Sequence, residues 1–192
     1  KVLIIGLGSI GKKHVAALRS INPSIQIDAL RSSKSNVELE GVFNYYEFNE
    51  IKQNKYDFAI ISNPTSEHKR TIEQVVQLNI PLFIEKPLFH KLDIEDLVQN
   101  VVSHNITTYV ACNLRFLNSL IFLKKYLTSN SIRINEINVY CGSYLPDWRK
   151  DTDYKKNYSA IPEFGGGVHI DLIHEIDYLY WFFGMPNNTH RF

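Results

Sequence analysis

The chain has 192 residues, of which 44% are hydrophobic and 21% charged, so it can bury a core of ordinary size and is not of the disordered type. Its net charge is +1, which gives no electrostatic reason to expect a nucleic-acid or membrane partner; a small molecule is the expected ligand. No apolar run approaches the roughly 18 residues that span a bilayer, and we expect no signal peptide. Cys112 and Cys141 lack CxxC spacing, which favours a reducing compartment and predicts a cytoplasmic protein.

A short apolar strand, Lys1 to Ile5, is followed at once by a glycine-rich turn and then by a helical pattern through Ile21. The turn reads Gly6, Leu7, Gly8, Ser9, Ile10 and Gly11. In a dinucleotide fingerprint the first glycine allows the tight turn, the second lets the backbone approach a pyrophosphate, and the third allows close helix packing. The alternative is a strand-to-helix turn that binds no ligand. His14, on this helix, is interpreted as a packed or capping residue.

The end of the second strand, Ile25 to Leu30, decides which dinucleotide fits. A carboxylate there would bind the ribose hydroxyls of NAD, whereas an arginine accommodates the 2′-phosphate of NADP. Asp28 lies inside the strand, too early for the ribose role. Arg31, with Ser32 and Lys34, therefore favours NADP, although NAD stays possible and the arginine is alternatively a solvated charge.

A further loop at the same sheet edge follows the strand predicted from Tyr56 to Ser62. Pro64 ends that strand, and Thr65 or Ser66 can cap a helix that runs to Leu78. Two interpretations are open: Asn63 and Thr65 touch the cofactor, or the loop only caps the helix. His68 falls in the first turn of this helix, where a packed or exposed histidine is expected.

The segment Glu85-Lys86-Pro87 follows an apolar strand, Ile80 to Ile84. Because Pro87 stops strand pairing, we expect Lys86 at the carboxyl end of the strand, the edge where open parallel sheets bind ligands. A lysine partly shielded from water at that edge is suited to proton transfer. The alternative is a surface Lys-Pro turn.

The alternation of strands and helices continues with a short aromatic strand near Phe43, a helix from Asp93 to His104 and a strand from Thr107 to Cys112. This order predicts a doubly wound parallel sheet, an α/β fold. We place the domain boundary after Asn113, giving domains 1–113 and 114–192.

The second domain begins with a helix and then an alternating stretch, Ile132 to Tyr144, that predicts a strand with one covered face. After a long polar loop and three glycines, a helix is predicted from Val168 to Gly184. Asp171 and His174 are three residues apart and would share a helix face, where a carboxylate orients an imidazole as a general base. A helical ion pair without substrate is the alternative.

Taken together, these motifs resemble the glucose-fructose oxidoreductase / inositol dehydrogenase / MocA (Gfo/Idh/MocA) family of NAD(P)-dependent oxidoreductases. The matching segments are Gly6 to Gly11, Asn63-Pro64-Thr65 with His68, Glu85-Lys86-Pro87, Arg115-Phe116, and Gly165-Gly166-Gly167 with Asp171 and His174. The resemblance implies a Rossmann domain followed by an α/β domain with a mostly antiparallel open sheet that carries the substrate and oligomer contacts. It also implies that matching residues bind the cofactor: those of the glycine turn, Asn63, Pro64, Thr65, His68, Glu85 and Lys86. Arg31 and Ser32, after the second strand, complete the predicted cofactor residues.

The same resemblance implies that Lys86 is the catalytic lysine, His174 the acid/base and Asp171 its partner. Many members place three residues between the last two, whereas two intervene here, so which side chain abstracts the proton is open. Candidate substrate contacts are Lys86, Arg115, Trp148, Arg149, Tyr154 and His174. No metal is expected.

The implied activity is hydride transfer between a nicotinamide and a hydroxyl-bearing carbon of a sugar, cyclitol or nucleotide sugar. The segment Gly142 to Arg149 is similar to the corresponding segment of family members found with surface-polysaccharide biosynthesis. A homo-oligomer is expected at full length. The family's second domain is usually longer, so the chain is interpreted as a fragment or a truncated product. A non-catalytic dinucleotide-binding regulatory protein and a fragment that only binds cofactor are the alternatives.

Overall fold

The computed structural model describes residues 1–33, 38–130, 132–142, 144–147, 153–156 and 158–190, with the backbone alone at residue 158. The chain divides into two compact units, Lys1–Ala111 and Cys112–Phe192. No helix in the described ranges is both long and apolar enough to cross a membrane.

The first unit alternates strands and helices as the sequence predicts. The strands are β1 Val2–Ile5, β2 Ile27–Leu30, β3 Val42–Tyr45, β4 Phe58–Ile61, β5 Leu82–Ile84 and β6 Thr108–Val110. The helices are α1 Ser9–Ile21, α2 Phe48–Ile51, α3 His68–Val75 and α4 Glu95–Ser103, and the 3-10 turns Thr65–Glu67 and Val76–Leu78 flank α3.

All six strands form one parallel sheet in the order β3-β2-β1-β4-β5-β6. The predicted doubly wound parallel sheet of an α/β fold is therefore confirmed for this unit. The order reverses between β1 and β4, because the chain first builds outward from β1 on one side and then returns to build outward on the other. The loops that follow β1 and β4 diverge at this point, and that divergence opens the crevice in which such sheets bind ligands.

Strands β1, β4 and β5 are apolar without interruption because helices cover both faces of the sheet. Val2 and Ile4 of β1 pack in one buried cluster, whereas Leu3 and Ile5 pack in another on the opposite face. Burial decreases toward the sheet edges, where the Phe43 side chain in β3 is 67% exposed. The rigid centre of the sheet fixes the positions at which its carboxyl-end loops begin.

The second unit contains the helices α5 Asn118–Ser129, α6 Val168–Asp171 and α7 Ile173–Phe183. Short 3-10 turns precede α5, at Asn113–Phe116, and lie between α5 and α6, at Leu145–Asp147, Tyr154–Lys156, Tyr158–Ala160 and Pro162–Phe164. The strand predicted from Ile132 to Tyr144 is not found among its described residues, 132–142 and 144. A strand exists through hydrogen bonds to a neighbouring strand, and the described part of this unit supplies none. The alternating apolar side chains are accordingly exposed, by 37–45% from Ile132 to Val139.

The predicted helix from Val168 to Gly184 is interrupted. Its first turn, α6, ends at Asp171, and α7 starts at Ile173 after Leu172 departs from helical geometry, with φ −95° and ψ 31°. Asp171 and His174 consequently lie on two successive helices rather than on one continuous face. The spacing of three residues therefore does not by itself place Asp171 and His174 on a common helix face.

Candidate active site

A cavity of about 640 Å³ lies at the carboxyl edge of the sheet in the first unit. Loops that follow β1, β2, β3 and β4 contribute to its walls, and α3 supplies one side. The predicted cofactor residues found in its lining are Gly6, Leu7, Gly8, Arg31, Ser32, Asn63 and Pro64. This placement agrees with the rule that parallel sheets bind ligands beyond the carboxyl ends of their strands.

Two glycines of the first turn are required by contacts within the protein. Gly6 has φ +88°, and a Cβ atom there would lie 2.6 Å from the backbone nitrogen of Asn63. A Cβ atom on Gly11 would lie 2.3 Å from the carbonyl oxygen of Gly6. That same oxygen accepts a hydrogen bond from Ser62 Oγ at 2.8 Å, so β1, α1 and β4 meet too closely here for any side chain.

Gly8 is different, because a Cβ atom there would meet no protein atom within 4 Å and would face open space. It is the N-cap of α1, makes no side-chain capping bond, and is followed by a first turn without acidic residues. The leading N–H groups of a helix lack intrahelical partners and carry partial positive charge, which suits an anion. Ser9 and Ile10 are exposed in this turn. The backbone N–H groups of this turn thus fit a diphosphate, which could reach them without meeting a side chain at Gly8.

The part of the cavity formed by the loop after β2 contains a cation and no accessible carboxylate from that strand. Arg31 and Ser32 line the cavity, and Arg31 Nη1 donates a hydrogen bond to Asn44 Oδ1 at 3.2 Å. The Asp28 carboxylate is fully buried inside the sheet and accepts a 2.7 Å hydrogen bond from the Tyr56 hydroxyl. Lys34 lies outside the described residues.

The loop after β4 separates into an exposed part and a buried part. Asn63 Nδ2 donates to Thr71 Oγ1 at 2.7 Å, which fixes this wall of the cavity. Thr65 and His68 are buried instead, and neither helical turn that follows has a side-chain cap, so the predicted capping by Thr65 or Ser66 is wrong. Thr65 begins a 3-10 turn whose N-cap is Pro64, and a proline has no side-chain acceptor to offer.

Lys86 follows β5 at the same edge of the sheet, and its peptide bond to the buried Pro87 is cis. Glu85 continues the ladder by donating its N–H to the carbonyl oxygen of Ile61 at 2.9 Å. The Glu85 carboxylate has two partners: Nε2 of His14 lies 2.7 Å from Oε1, and the Lys86 N–H donates to Oε2 at 3.3 Å. His14 is therefore a packed residue whose ring orients the residue before the lysine.

In the second unit an ion pair lies beside the predicted acid/base residue. Arg115 binds Asp177 bidentately, through Nε at 2.9 Å and Nη2 at 2.6 Å. Burial would raise the pKa of Asp177, but hydrogen bonds from Arg115 and Cys112, with the charge of His174, hold it below its usual range. Burial and the Asp177 carboxylate raise the pKa of the Cys112 thiol to about 11. Asp177 was missed as a site residue, although it stands three residues after His174.

The other predicted residues of this unit are distributed as follows. Asp171 is buried at the end of α6, and His174 is in the first turn of α7. Tyr154 begins a 3-10 turn and is 36% exposed. Trp148 and Arg149 lie outside the described residues. Within the described ranges no group of three or more His, Cys, Asp or Glu side chains could hold a metal ion.

Removing one partner of the Arg115–Asp177 pair should destabilise the second unit. We expect Arg115→Ala to lower the free energy of unfolding by about 1–2 kcal/mol, because a mostly buried carboxylate loses its charge-assisted bonds. Since the folded-state pKa of Asp177 lies below its unfolded value, the loss should be present above about pH 4 and vanish as the pH falls through the folded-state value. Urea titrations at several pH values measure it. Exposed Arg133→Ala is the control, and equal losses in both variants would contradict the prediction.

The sheet and the glycine turn define a Rossmann-type nucleotide-binding protein. More particularly, the chain belongs to the Gfo/Idh/MocA oxidoreductase family: the model of that family, described as an oxidoreductase family with an NAD-binding Rossmann fold, matches residues 1–112. No curated protein sequence matches the chain significantly.

Three solved structures illustrate the likeness. The WlbA (WbpB) dehydrogenase from Thermus thermophilus, in complex with NAD and UDP-GlcNAcA, is 21% identical, with a TM-score of 0.74 over 95% of this chain and 62% of that one. An NAD-binding protein from Listeria innocua is 19% identical, with a TM-score of 0.66 over 94% and 54%. Apo scyllo-inositol dehydrogenase from Lactobacillus casei is 26% identical, with a TM-score of 0.55 over 68% and 42%. The chain thus spans about half the length of these relatives.

Proposed function

We propose that this chain is the nucleotide-binding part, with a portion of the substrate domain, of an NAD(P)-dependent oxidoreductase acting on CH–OH groups. The observation that carries the proposal is the uncapped amino terminus of α1, which opens at Gly8 onto the 640 Å³ cavity. Family membership supports the same conclusion. The whole protein would move a hydride between the nicotinamide and a hydroxyl-bearing carbon.

The residue roles in this proposal are as follows. Backbone N–H groups of the first turn of α1 hold the diphosphate, and Arg31 with Ser32 holds the ribose end. When bound, the nicotinamide supplies the hydride acceptor. Lys86 polarises the substrate oxygen or shares its proton, and in the second unit His174 takes the hydroxyl proton while Asp171 orients the imidazole.

For the substrate we propose a sugar, a cyclitol or a nucleotide sugar. This class is supported by the names of similar structures, one solved with UDP-GlcNAcA and another an inositol dehydrogenase. A place in surface-polysaccharide biosynthesis is part of the proposal. The candidate contacts in the second unit are Arg115, Trp148, Arg149 and Tyr154. Two donor groups of Arg115 already bind Asp177.

We further propose that the second unit belongs to an α/β domain with a mostly antiparallel sheet that carries the oligomer contacts. The exposed alternation from Ile132 to Val139 supports it, because such a face is covered when neighbouring strands are present. A cytoplasmic location is proposed from the two free cysteines.

The experiment that tests the nucleotide site is calorimetric titration of the 192-residue chain with NADP⁺ and NAD⁺ in parallel. Micromolar binding, tighter for NADP⁺, is expected. Absence of binding by a folded chain would refute the nucleotide site. Substrate-dependent reduction of NADP⁺ by the full-length protein then separates the enzyme from a non-catalytic regulatory protein, which would bind the nucleotide and show no turnover with any sugar or cyclitol.

Arg31→Ala should weaken NADP⁺ binding selectively, by about 10- to 100-fold, because a 2′-phosphate loses a charge-assisted partner. NAD⁺, which has no such phosphate, should bind within a few-fold of the unaltered chain. Parallel titrations measure both. Lys55→Ala is the charge-matched control, since Lys55 is exposed and precedes β4 at the opposite edge of the sheet. Equal losses for both nucleotides would defeat the NADP preference.

A further inference from the structure

The segment that contains Lys86 is held from both sides by histidines of different helices. On the amino side His14 of α1 binds the Glu85 carboxylate, which also receives the Lys86 N–H. On the carboxyl side His68 of α3 lies 3.0 Å, through Nδ1, from the carbonyl oxygen of Leu88. His14 thus contacts Glu85, the residue before Lys86, and His68 contacts Leu88, the second residue after it.

His68 has a second contact that makes its position unusual. Its Nε2 lies 3.1 Å from the carbonyl oxygen of Asn63, on the opposite side of the ring from Leu88. Asn63 lines the cavity and packs against the glycine turn, since a Cβ atom on Gly6 would lie 2.6 Å from the Asn63 backbone nitrogen. The ring is 1% exposed, so water does not compete for either nitrogen. One buried side chain therefore connects the nucleotide-side loop with the lysine-side loop.

Carbonyl oxygens only accept hydrogen bonds, so each contact needs a proton on the ring nitrogen that makes it. A neutral imidazole has one N–H and can donate to one carbonyl at a time. Burial lowers the pKa of His68, and this effect outweighs the backbone groups of Leu88, Asn63 and Pro87 and the Glu85 carboxylate, which raise it. The ring at neutral pH is therefore in one of two tautomers, one holding Leu88 and the other holding Asn63.

We propose that His68 carries its proton on Nδ1, donates a hydrogen bond to the carbonyl oxygen of Leu88, and in this way is a positioning residue for Lys86. The inference rests on the role proposed for Lys86. A residue that merely fills the interior would act through its volume, whereas a positioning residue acts through a donor at one particular place on the ring. The chain allows these two roles to be separated.

Asparagine and glutamine provide the matched variants. The amide nitrogen of asparagine can take the place of Nδ1, and that of the longer glutamine can take the place of Nε2. His68→Asn therefore keeps the donor toward Leu88, whereas His68→Gln keeps the donor toward Asn63 and is closer to histidine in volume. His68→Leu removes both donors. His104→Gln, at the exposed C-cap of α4, is the control, because its ring contacts the carbonyl oxygen of Asn100 and the Ser103 hydroxyl of the same helix.

The measurement is made on the 192-residue chain without nucleotide or substrate. Lysines are labelled by reductive ¹³C-methylation, the Lys86 signal is assigned with Lys86→Arg, and amide exchange is followed over residues 85–90. We expect the Lys86 signal and the exchange rates of His68→Asn to stay near those of the unaltered chain. In His68→Gln the signal should be displaced and exchange in this segment about fivefold faster, the effect of one hydrogen bond.

Indistinguishable Asn and Gln variants, or a Leu variant with an unchanged Lys86 signal, would overturn the proposal. If His68→Leu does not fold, the comparison of Asn with Gln still decides the question, and thermal unfolding of both verifies that they are folded. Because no nucleotide is present, a negative result leaves the calorimetric test of the nucleotide site unaffected. Conversely, a chain that binds no nucleotide would refute the proposed function whatever the His68 variants show.

Discussion

Replacing Lys86 with alanine is expected to reduce turnover by about 10²- to 10⁴-fold while nucleotide affinity stays within a few-fold. In the proposed mechanism the two effects separate because the diphosphate would be held by the glycine turn after β1, whereas Lys86 follows β5, two strands away in the sheet. The lysine would contribute a positioned amine to proton transfer, and its contact with the nucleotide would add little to the affinity. Substrate-dependent reduction of NADP⁺ by the full-length protein measures the first quantity, and calorimetry measures the second.

Lys91→Ala is the matched control for this experiment. Lys91 lies five residues further along the same connection, is exposed, and should leave both turnover and affinity unchanged. Full activity of Lys86→Ala would remove the lysine from the chemistry. Loss of nucleotide affinity to the same degree as turnover would instead mean that Lys86 anchors the cofactor.

A pair of glycine variants should separate nucleotide binding from folding. Gly11→Ala places a methyl group 2.3 Å from the carbonyl oxygen of Gly6, so we expect a loss of about 2–3 kcal/mol in the free energy of unfolding. Gly8→Ala meets no protein atom, and its φ of −77° suits alanine, so stability should change by less than about 1 kcal/mol. Its methyl group would nevertheless occupy the space that a diphosphate needs, and affinity should fall at least about tenfold.

Urea titration and calorimetry on the same two proteins provide the comparison. A stable Gly8→Ala chain that binds NADP⁺ as the unaltered chain does would place the diphosphate elsewhere. A Gly11→Ala chain of unchanged stability would show that α1 can move away from β1 at little cost, contrary to the close approach described at Gly6.

The fold of the first unit could be predicted because its signals are local. Strands β1, β4 and β5 are short apolar runs, a glycine or proline stands within three residues of each of their carboxyl ends, and helical spacing fills the intervals. These features place Gly8, Arg31 and Asn63 at one edge of the sheet without any knowledge of distant contacts. The cavity then follows from the strand order, since parallel crossovers in one sheet have a fixed hand.

Features that depend on partners distant in the sequence could not be predicted in this way. The alternation from Ile132 to Val139 is correct for a strand, but pairing requires a neighbour, and the pattern does not contain one. The sequence does not show that Thr65, in the 3-10 turn, and His68, at the start of α3, are both buried. Asp177 was overlooked because its partner, Arg115, stands 62 positions earlier and is apparent only in the folded unit.

In the proposed nucleotide site the glycine turn would anchor the nucleotide through backbone groups, whose partial charge no side-chain substitution changes, whereas Arg31 and Ser32 would meet the ribose end with their side chains. Binding of the diphosphate and selection of the coenzyme would therefore depend on different parts of one cavity. The short loop after β2 is a natural target for redesign: an acidic residue in place of Arg31 should exchange the preferred coenzyme and leave the attachment of the diphosphate intact. A protein with such a site could exchange its preferred coenzyme by one substitution while its fold stays the same.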